Sequence, residues 1–200
     1  MDSTDFFATH LTANPVMGIF RGLDPARTLE LCHRAWDSGV LLIEIPIQSP
    51  DAVDCLSAVV KAGAAIGRPV GAGTVTSLER ARAAADAGAA FTVAPGIVPS
   101  VVAESQRLGL PHLPGVATSS EIGVALGLGL RWQKMFPAAQ LGASWAAAQH
   151  GPYPEVRFVA TGGIDSYNAE EFFRGGASGV AVGSAFADPE QIDRLAKLRQ

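Results

Sequence analysis

Three charged side chains occur in stretches of sequence that otherwise have the composition of buried β-strands. Glu44 is the single charge in the run Val40–Ile47, and Lys134 stands in the middle of Arg131–Pro137. Arg21 directly follows another apolar run. Because strands that are buried on both faces are apolar throughout, a charge inside one is informative. We therefore take these three residues as the first candidates for chemistry.

The lysine and the glutamate together suggest covalent catalysis. A lysine enclosed by Trp132, Met135 and Phe136 loses solvation, which favours its neutral, nucleophilic amine. A nearby carboxylate such as Glu44 opposes that change but can relay protons. The pair predicts Schiff-base formation between Lys134 and a carbonyl substrate. A structural ion pair and an anion-binding site are the two other interpretations of the same residues.

The low lysine content narrows the search for a Schiff-base residue. The chain has only three lysines among its 15 basic residues. Lys61 and Lys197 fall in predicted helices, where they are expected to be solvated. Lys134 is the only lysine in a predicted strand.

The elements that must position these residues alternate along the chain. Eight short runs of apolar or β-branched residues are separated by Ala-rich stretches with helical character. The predicted strands are Val16–Phe20, Leu41–Ile45, Val70–Gly71, Phe91–Val93, His112–Leu113, Arg131–Phe136, Val156–Ala160 and Gly179–Val182. This pattern predicts an α/β fold, a (β/α)8 (TIM) barrel forming one domain over residues 1–200, with Met1–Asn14 as a lead-in helix at the bottom. An open doubly wound sheet is the competing fold.

Helix starts are indicated by short capping motifs. Asp24-Pro25, Ser49-Pro50 and Asp188-Pro189 each combine an N-cap residue with proline at the first helical position. Thr76 and Thr118 are each followed three residues later by glutamate, which is the spacing of a capping box.

Strand periodicity predicts where the three charged side chains meet. Glu44 shares a strand face with Leu42, and Lys134 shares one with Trp132. If these faces point into the barrel, Arg21, Glu44 and Lys134 meet at its C-terminal mouth, where barrel enzymes place their active sites.

Glycine-rich turns follow the last two predicted strands. Thr161–Gly163 comes after the seventh strand and Gly183-Ser184 after the eighth. Barrels commonly bind phosphate at these two loops, through backbone N–H groups and a helix N-terminus. The alternative is two tight turns that need glycine. Thr74 and Pro95, after the third and fourth strands, are further candidates at the mouth.

Composition argues against several other classes of protein. The net charge is −4, whereas a nucleic-acid binder normally has a basic surplus. No run approaches the ~18 apolar residues of a membrane span, and no basic segment precedes Arg21 as a signal peptide would require. Cys32 and Cys55 have no CxxC spacing and the four histidines form no zinc motif. We expect a cytoplasmic protein with reduced cysteines and no metal.

The ordered set of motifs resembles a known enzyme family, the class I aldolases of 2-keto-3-deoxy-6-phosphogluconate (KDPG) and 2-keto-3-deoxy-6-phosphogalactonate (KDPGal). The resemblance rests on Arg21-Gly22, Glu44-Ile45-Pro46, Gly71-Ala72-Gly73-Thr74-Val75, Pro95-Gly96, Pro114-Gly115, Lys134-Met135-Phe136-Pro137, Thr161-Gly162-Gly163 and Gly183-Ser184. It covers nearly the whole chain in order. It implies a homotrimeric barrel that needs no metal or cofactor and acts on a phosphorylated 2-keto-3-deoxy sugar acid to release pyruvate.

The resemblance also implies roles for individual residues. Lys134 forms the Schiff base with the C2 ketone, and Glu44 shuttles protons. Arg21 and Thr74 hold the substrate carboxylate. The residues implied for the phosphate are Gly162, Gly163, Gly183 and Ser184, and those for the substrate pocket are Pro95, Phe136 and Thr161.

Two markers of the substrate disagree. Gln48 resembles the galactonate branch of the family, and Thr161 resembles the gluconate branch. Thr161 is expected to lie nearer the reacting hydroxyl, which favours KDPG, with KDPGal and unphosphorylated 4-hydroxy-2-oxoglutarate as alternative substrates. Two alternatives from other classes share the phosphate loops: a phosphosugar isomerase or epimerase, and a non-catalytic phosphosugar-binding barrel.

Overall fold

The alternating strands and helices form a barrel in the computed structural model of the chain, which describes residues 2–22 and 24–198. The strands, all parallel, are β1 (Val16–Ile19), β2 (Leu42–Pro46), β3 (Val70–Gly73), β4 (Thr92–Val93), β5 (His112–Leu113), β6 (Gly115–Val116), β7 (Trp132–Met135), β8 (Arg157–Thr161) and β9 (Gly179–Val182). The helices are α1 (Ser3–Ala13), α2 (Pro25–Asp37), α3 (Pro50–Ala65), α4 (Leu78–Asp86), α5 (Pro99–Arg107), α6 (Ser119–Gly127), α7 (Ala138–Leu141), α8 (Ser144–His150), α9 (Ala169–Arg174) and α10 (Pro189–Lys197), with a 3-10 helix at Ser184–Ala187. The predicted (β/α)8 fold is confirmed.

The barrel is closed by the chain itself at Pro114. The order of hydrogen-bonded strands is β5-β4-β3-β2-β1-β9-β8-β7-β6, and Pro114 alone separates the two end strands, β5 and β6. Proline has no N–H to donate to a ladder. Its carbonyl still accepts a hydrogen bond from the Lys134 N–H at 2.8 Å. The fifth predicted strand, His112–Leu113, is therefore present as β5, and the short β6 that follows Pro114 was not predicted.

Side chains alternate between the barrel interior and the layer beneath the helices, as period-2 strands require. Leu42 and Trp132 lie in the interior cluster, whereas Ile43 and Met135 pack in the outer layer. Glu44 and Lys134 follow two residues after Leu42 and Trp132 on their strands, so both face the interior. This is the orientation expected from the sequence.

The first helix covers the N-terminal end of the barrel. Phe6 and Phe7 of α1 contact the ring of Phe91, with ring centroids 5.5 and 5.6 Å apart. Ser3 accepts a hydrogen bond from the His112 N–H at the start of β5. The predicted lead-in helix is thus present at the bottom of the barrel, although Met1 lies outside the described residues.

Capping motifs begin the helices largely where the sequence places them. Asp24 and Asp188 cap α2 and α10 through their side chains. Thr118 caps α6, because its hydroxyl accepts the Glu121 N–H, and the Glu121 carboxylate in turn accepts the Thr118 hydroxyl and the Ala117 N–H. The prediction at Thr76 is wrong by one residue: Ser77 caps α4, and its hydroxyl accepts the Arg80 N–H.

Candidate active site

A cavity of about 790 Å³ opens at the C-terminal end of the strands. It lies between the loops that follow β1, β7, β8 and β9 and the start of α2. Its lining residues are Ile19, Phe20, Arg21, Arg27, Leu31, Lys134, Phe136, Thr161, Gly162, Gly163, Ile164, Asp165, Ala181, Gly183, Ser184 and Ala187. Most of the predicted site residues are among them, which makes this cavity the candidate active site.

Lys134 lies at the floor of the cavity. It is in the middle of β7, opposite Gly115 of β6 and Val159 of β8. Its side chain is 4% exposed, and Nζ lies 5.2 Å from the centroid of the Phe136 ring. The amine is thus largely removed from bulk water but open to the cavity.

Glu44 lies beside Lys134 and is fully buried. Its Oε2 is 3.8 Å from Lys134 Nζ, and within the described part of the chain neither carboxylate oxygen has a hydrogen-bond donor. A buried carboxylate without hydrogen bonds is costly to a fold. Its position next to a buried amine is therefore better explained by proton transfer than by stability.

The charges around the cavity favour an anionic ligand. Arg21, Arg27 and Lys134 line it, and Asp165 is its one acidic lining residue within the described ranges. Asp165 Oδ1 already accepts the N–H of Tyr167 at 2.8 Å and a second backbone N–H at 3.1 Å. One oxygen of this carboxylate is therefore held within its own loop, and three cationic side chains outnumber the single acidic one around the cavity.

The loop after β8 presents free backbone N–H groups. Gly162 and Gly163 have φ of 95° and 76°, a region that glycine adopts readily. Their carbonyls accept hydrogen bonds from the Ala139 N–H and from Asn168 Nδ2, at 3.0 and 2.8 Å. Their own N–H groups have no acceptor among residues 2–22 and 24–198. With Ser184 on the next loop, this loop can bind an oxyanion.

The remaining predicted site residues divide into two groups. Phe136 and Thr161 line the cavity, and the Phe136 ring packs closely on Gly162. Thr74 and Pro95 are half-buried and are not among the lining residues.

The two substrate markers lie in different places. Thr161 is on the cavity, whereas Gln48 is exposed and lines a separate depression between α3 and α4. Only Thr161 therefore shares the cavity with Lys134 in this chain.

Sequence reasoning missed three residues of this region. Arg27 and Asp165 line the cavity from a helix start and a loop, where charges are common and give no signal. Gly73 lies against the side chain of Glu44. The sequence shows Gly73 as part of the GAGT motif. That a side chain at this position would collide with Glu44 is evident only from the fold.

The described residues include neither a metal-binding cluster nor a membrane-spanning helix. They contain no group of three or more His, Cys, Asp or Glu side chains that could hold a metal ion. None of their helices combines the length and apolar character that crossing a membrane requires.

Comparisons with known proteins agree with this geometry. Residues 8–198 match the model of a family described as KDPG and KHG aldolase. A probable 2-dehydro-3-deoxy-6-phosphogalactonate aldolase of Rhizobium meliloti is 31% identical over 88% of this chain and 82% of its own length. A KHG/KDPG aldolase of Escherichia coli is 30% identical over 94% and 90% of the two chains. The crystal structure of Legionella pneumophila KDPG aldolase, solved with pyruvate captured as a covalent carbinolamine, has a TM-score of 0.82 and 29% identity over 96% and 95% of the chains. The chain belongs to the KDPG and KHG aldolase family.

Proposed function

We propose that this protein is a class I aldolase that cleaves 2-keto-3-deoxy-6-phosphogluconate to pyruvate and glyceraldehyde 3-phosphate. The observation that carries the proposal is the buried Lys134 amine, open to a cationic cavity and 3.8 Å from the Glu44 carboxylate. A shielded amine beside a proton acceptor is what Schiff-base catalysis on a ketone requires.

In the first half of the reaction, the neutral Lys134 amine attacks the C2 ketone. Loss of water from the carbinolamine gives an iminium ion, which serves as an electron sink. Glu44, directly or through water, takes the proton of the C4 hydroxyl. The C3–C4 bond then breaks, its electron pair forms the enamine, and the C4 carbon leaves as the aldehyde.

In the second half, the enamine of pyruvate is protonated at C3. Water then hydrolyses the iminium ion, releasing pyruvate and restoring the Lys134 amine. Glu44 is the group within reach to return a proton, since its Oε2 is the carboxylate oxygen that pairs with Lys134.

The two anionic ends of the substrate need separate partners. In the proposal Arg21 and Thr74 hold the carboxylate. The ring of Phe136 lies beside the pyruvate methyl, with Thr161 as a further pocket residue. Thr74 and Pro95 do not line the cavity, and their assignment to the substrate rests on the family resemblance. The phosphate is assigned to Gly162, Gly163, Gly183 and Ser184.

The choice of KDPG over its C4 epimer, KDPGal, is supported by Thr161. That residue lines the cavity, and its hydroxyl lies 3.3 Å from the Val159 carbonyl, a single long hydrogen bond. An assay of both substrates side by side tests the assignment. A higher kcat/KM for KDPGal would overturn it, and an equal kcat/KM for 4-hydroxy-2-oxoglutarate would show that the phosphate is not required.

Trapping the covalent intermediate tests the mechanism. The protein is incubated with pyruvate, reduced with borohydride and digested, and the modified peptide is identified by mass spectrometry. We expect a reduced adduct on Lys134 and none in K134A. The variant K61A, which removes an exposed lysine on α3, is the matched control and should keep the adduct. Absence of an adduct on Lys134 would contradict the proposal.

The same experiments separate the other classes. An isomerase or epimerase using Glu44 and Lys134 as acid and base would turn over a phosphosugar without any trapped adduct. A non-catalytic binding barrel would show no retro-aldol turnover at all. For an aldolase we expect turnover in the native protein and none in K134A.

The proposal extends to assembly and location. We place the enzyme in the cytoplasm as a homotrimer, with residues 1–200 forming one aldolase domain. Cys32 and Cys55 are both free and buried, which supports a reducing compartment. The trimer rests on the family resemblance, and light scattering after gel filtration tests it.

A further inference from the structure

Arg27 is a cavity residue to which the proposed mechanism gives no role. It is the third residue of α2, whose N-cap is Asp24, and it lines the cavity together with Leu31 one turn later. Helix α2 packs on the 3-10 helix that begins at Ser184, and Ser184 lines the same cavity. Arg27 therefore lies on the side of the cavity where the phosphate loops are.

Its position in the helix is electrostatically unfavourable. The first turn of a helix carries the positive end of the macrodipole, where acidic side chains are stabilising and basic ones are not. The first turn of α2 has no acidic residue and has Arg27 instead. The macrodipole thus does not explain the arginine, whereas a ligand with negative charge would.

The salt bridge that holds Arg27 is easily exchanged. Its Nη1 lies 2.5 Å from Glu30 Oε2, and Arg34 Nη2 lies 2.7 Å from the other oxygen of Glu30. The three side chains are 38–47% exposed, and ion pairs this exposed contribute little to stability. If Arg27 turns toward the cavity, Glu30 keeps Arg34 as its partner.

The chemistry of the phosphate end calls for such a cation. The glycine N–H groups and the Ser184 hydroxyl are neutral donors, whereas a phosphate monoester carries close to two negative charges at neutral pH. Lys134 becomes the iminium nitrogen, and Arg21 is assigned to the carboxylate. A guanidinium group can donate two parallel hydrogen bonds to a phosphate. Arg27 is the remaining basic side chain on the cavity within the described ranges.

We infer that Arg27 leaves Glu30 when substrate binds and forms a charged contact with the terminal phosphate, so that it selects phosphorylated substrates. This inference rests on the proposed function. It adds to the backbone N–H groups a positively charged side chain that belongs to α2 rather than to the glycine loops.

Titration with glycerol 3-phosphate tests the inference independently of catalysis. We expect R27Q to weaken its binding about 10- to 100-fold, the range for hydrogen bonds to charged groups, and R27K to restore part of the affinity. The matched control is R174Q, which removes an exposed arginine from another helical ion pair, Arg174–Glu170, away from the cavity. R174Q should bind glycerol 3-phosphate as tightly as the native protein.

Aldol addition to pyruvate provides the second readout. R27Q should lower kcat/KM for glyceraldehyde 3-phosphate relative to unphosphorylated glyceraldehyde by a similar factor. The inference is overturned if R27Q and R174Q behave alike, or if the native protein does not bind glycerol 3-phosphate. Failure of the proposed function has a different signature, because it removes the borohydride adduct on Lys134 whether or not phosphate binds.

Discussion

The carboxylate of Glu44 lies against the Cα of Gly73, in space that any other side chain at position 73 would occupy. A Cβ there would come within 2.6 Å of both Cγ and Cδ of Glu44. The glycine therefore determines where the carboxylate can be, and with it the distance to Lys134.

The variant G73A should displace Glu44 and slow turnover. Because the clash involves Cγ and Cδ as well as the carboxylate oxygen, the whole side chain must move. A misplacement of about 1 Å at a reacting group can cost about 100-fold in rate, and we expect a loss of that order. Retro-aldol assays measure it. The control is G127A on α6, where a Cβ meets nothing within 4 Å. Native turnover in G73A would show that the position of Glu44 is not critical.

The variant E44Q keeps the shape of the side chain and removes its ability to accept a proton. General acid–base catalysis typically contributes about 10²- to 10⁴-fold, and kcat should fall within that range. Formation of the borohydride adduct with pyruvate should persist, because Lys134 remains. A fall in kcat of less than about 3-fold would assign proton transfer to another group.

Thr74 has an unusual backbone conformation that can be tested by stability. Its φ is 57°, in the left-handed region, where a β-branched residue is strained. At most positions alanine is more stable than glycine, but here the Cβ is the source of the strain. We expect T74G to unfold at a higher urea concentration than T74A, by about 1 kcal/mol in free energy of unfolding. The usual order, with T74A the more stable, would contradict the strain.

His112 predicts how stability changes with pH. The side chain is buried at the start of β5, where its Nδ1 lies 2.8 Å from Thr92 Oγ1, and burial lowers the pKa of His112 to about 4. The unfolded chain, with an ordinary histidine pKa of about 6.5, therefore binds the proton more tightly than the folded chain. Stability is complete above pH 6.5 and falls as the pH is lowered toward 4, by about 3 kcal/mol at about 1.4 kcal/mol per pKa unit.

Urea unfolding at pH 7, 5.5 and 4.5 measures this dependence. The variant H112Q should lose part of the slope, whereas H33Q, which changes an exposed histidine on α2, should keep it. Parallel pH profiles for native protein and H112Q would mean that His112 does not titrate as burial requires.

The sequence predicted the barrel well because parallel strands buried on both faces leave a strong pattern. Each of the eight predicted strands corresponds to one observed strand, and the ninth, β6, was not predicted. The proline between β5 and β6 was visible in the sequence. What sequence could not show is that its carbonyl still accepts the Lys134 N–H, so the barrel closes across it.

The residues of the candidate site that could be predicted are those whose type is unusual for their place in the sequence. Glu44 and Lys134 are charges in apolar strands, and their contact follows from strand periodicity. Arg27 could not be identified in this way, because an arginine on an amphipathic helix is common. Gly73 depends on a contact between neighbouring strands, for which no pattern in a single sequence exists.

Helix α1, which covers the bottom of the barrel, affects the order in which substrates bind and products leave. In the described residues the interior below Lys134 is packed with Met17, Leu42 and Trp132 and is covered by Phe7 of α1. On the proposed mechanism, substrate and both products therefore pass through the mouth of the barrel. If the Schiff base forms on Lys134 as proposed, pyruvate is the inner product and the phosphorylated aldehyde lies between it and solvent. The aldehyde would then leave first, and in the reverse direction pyruvate would enter first.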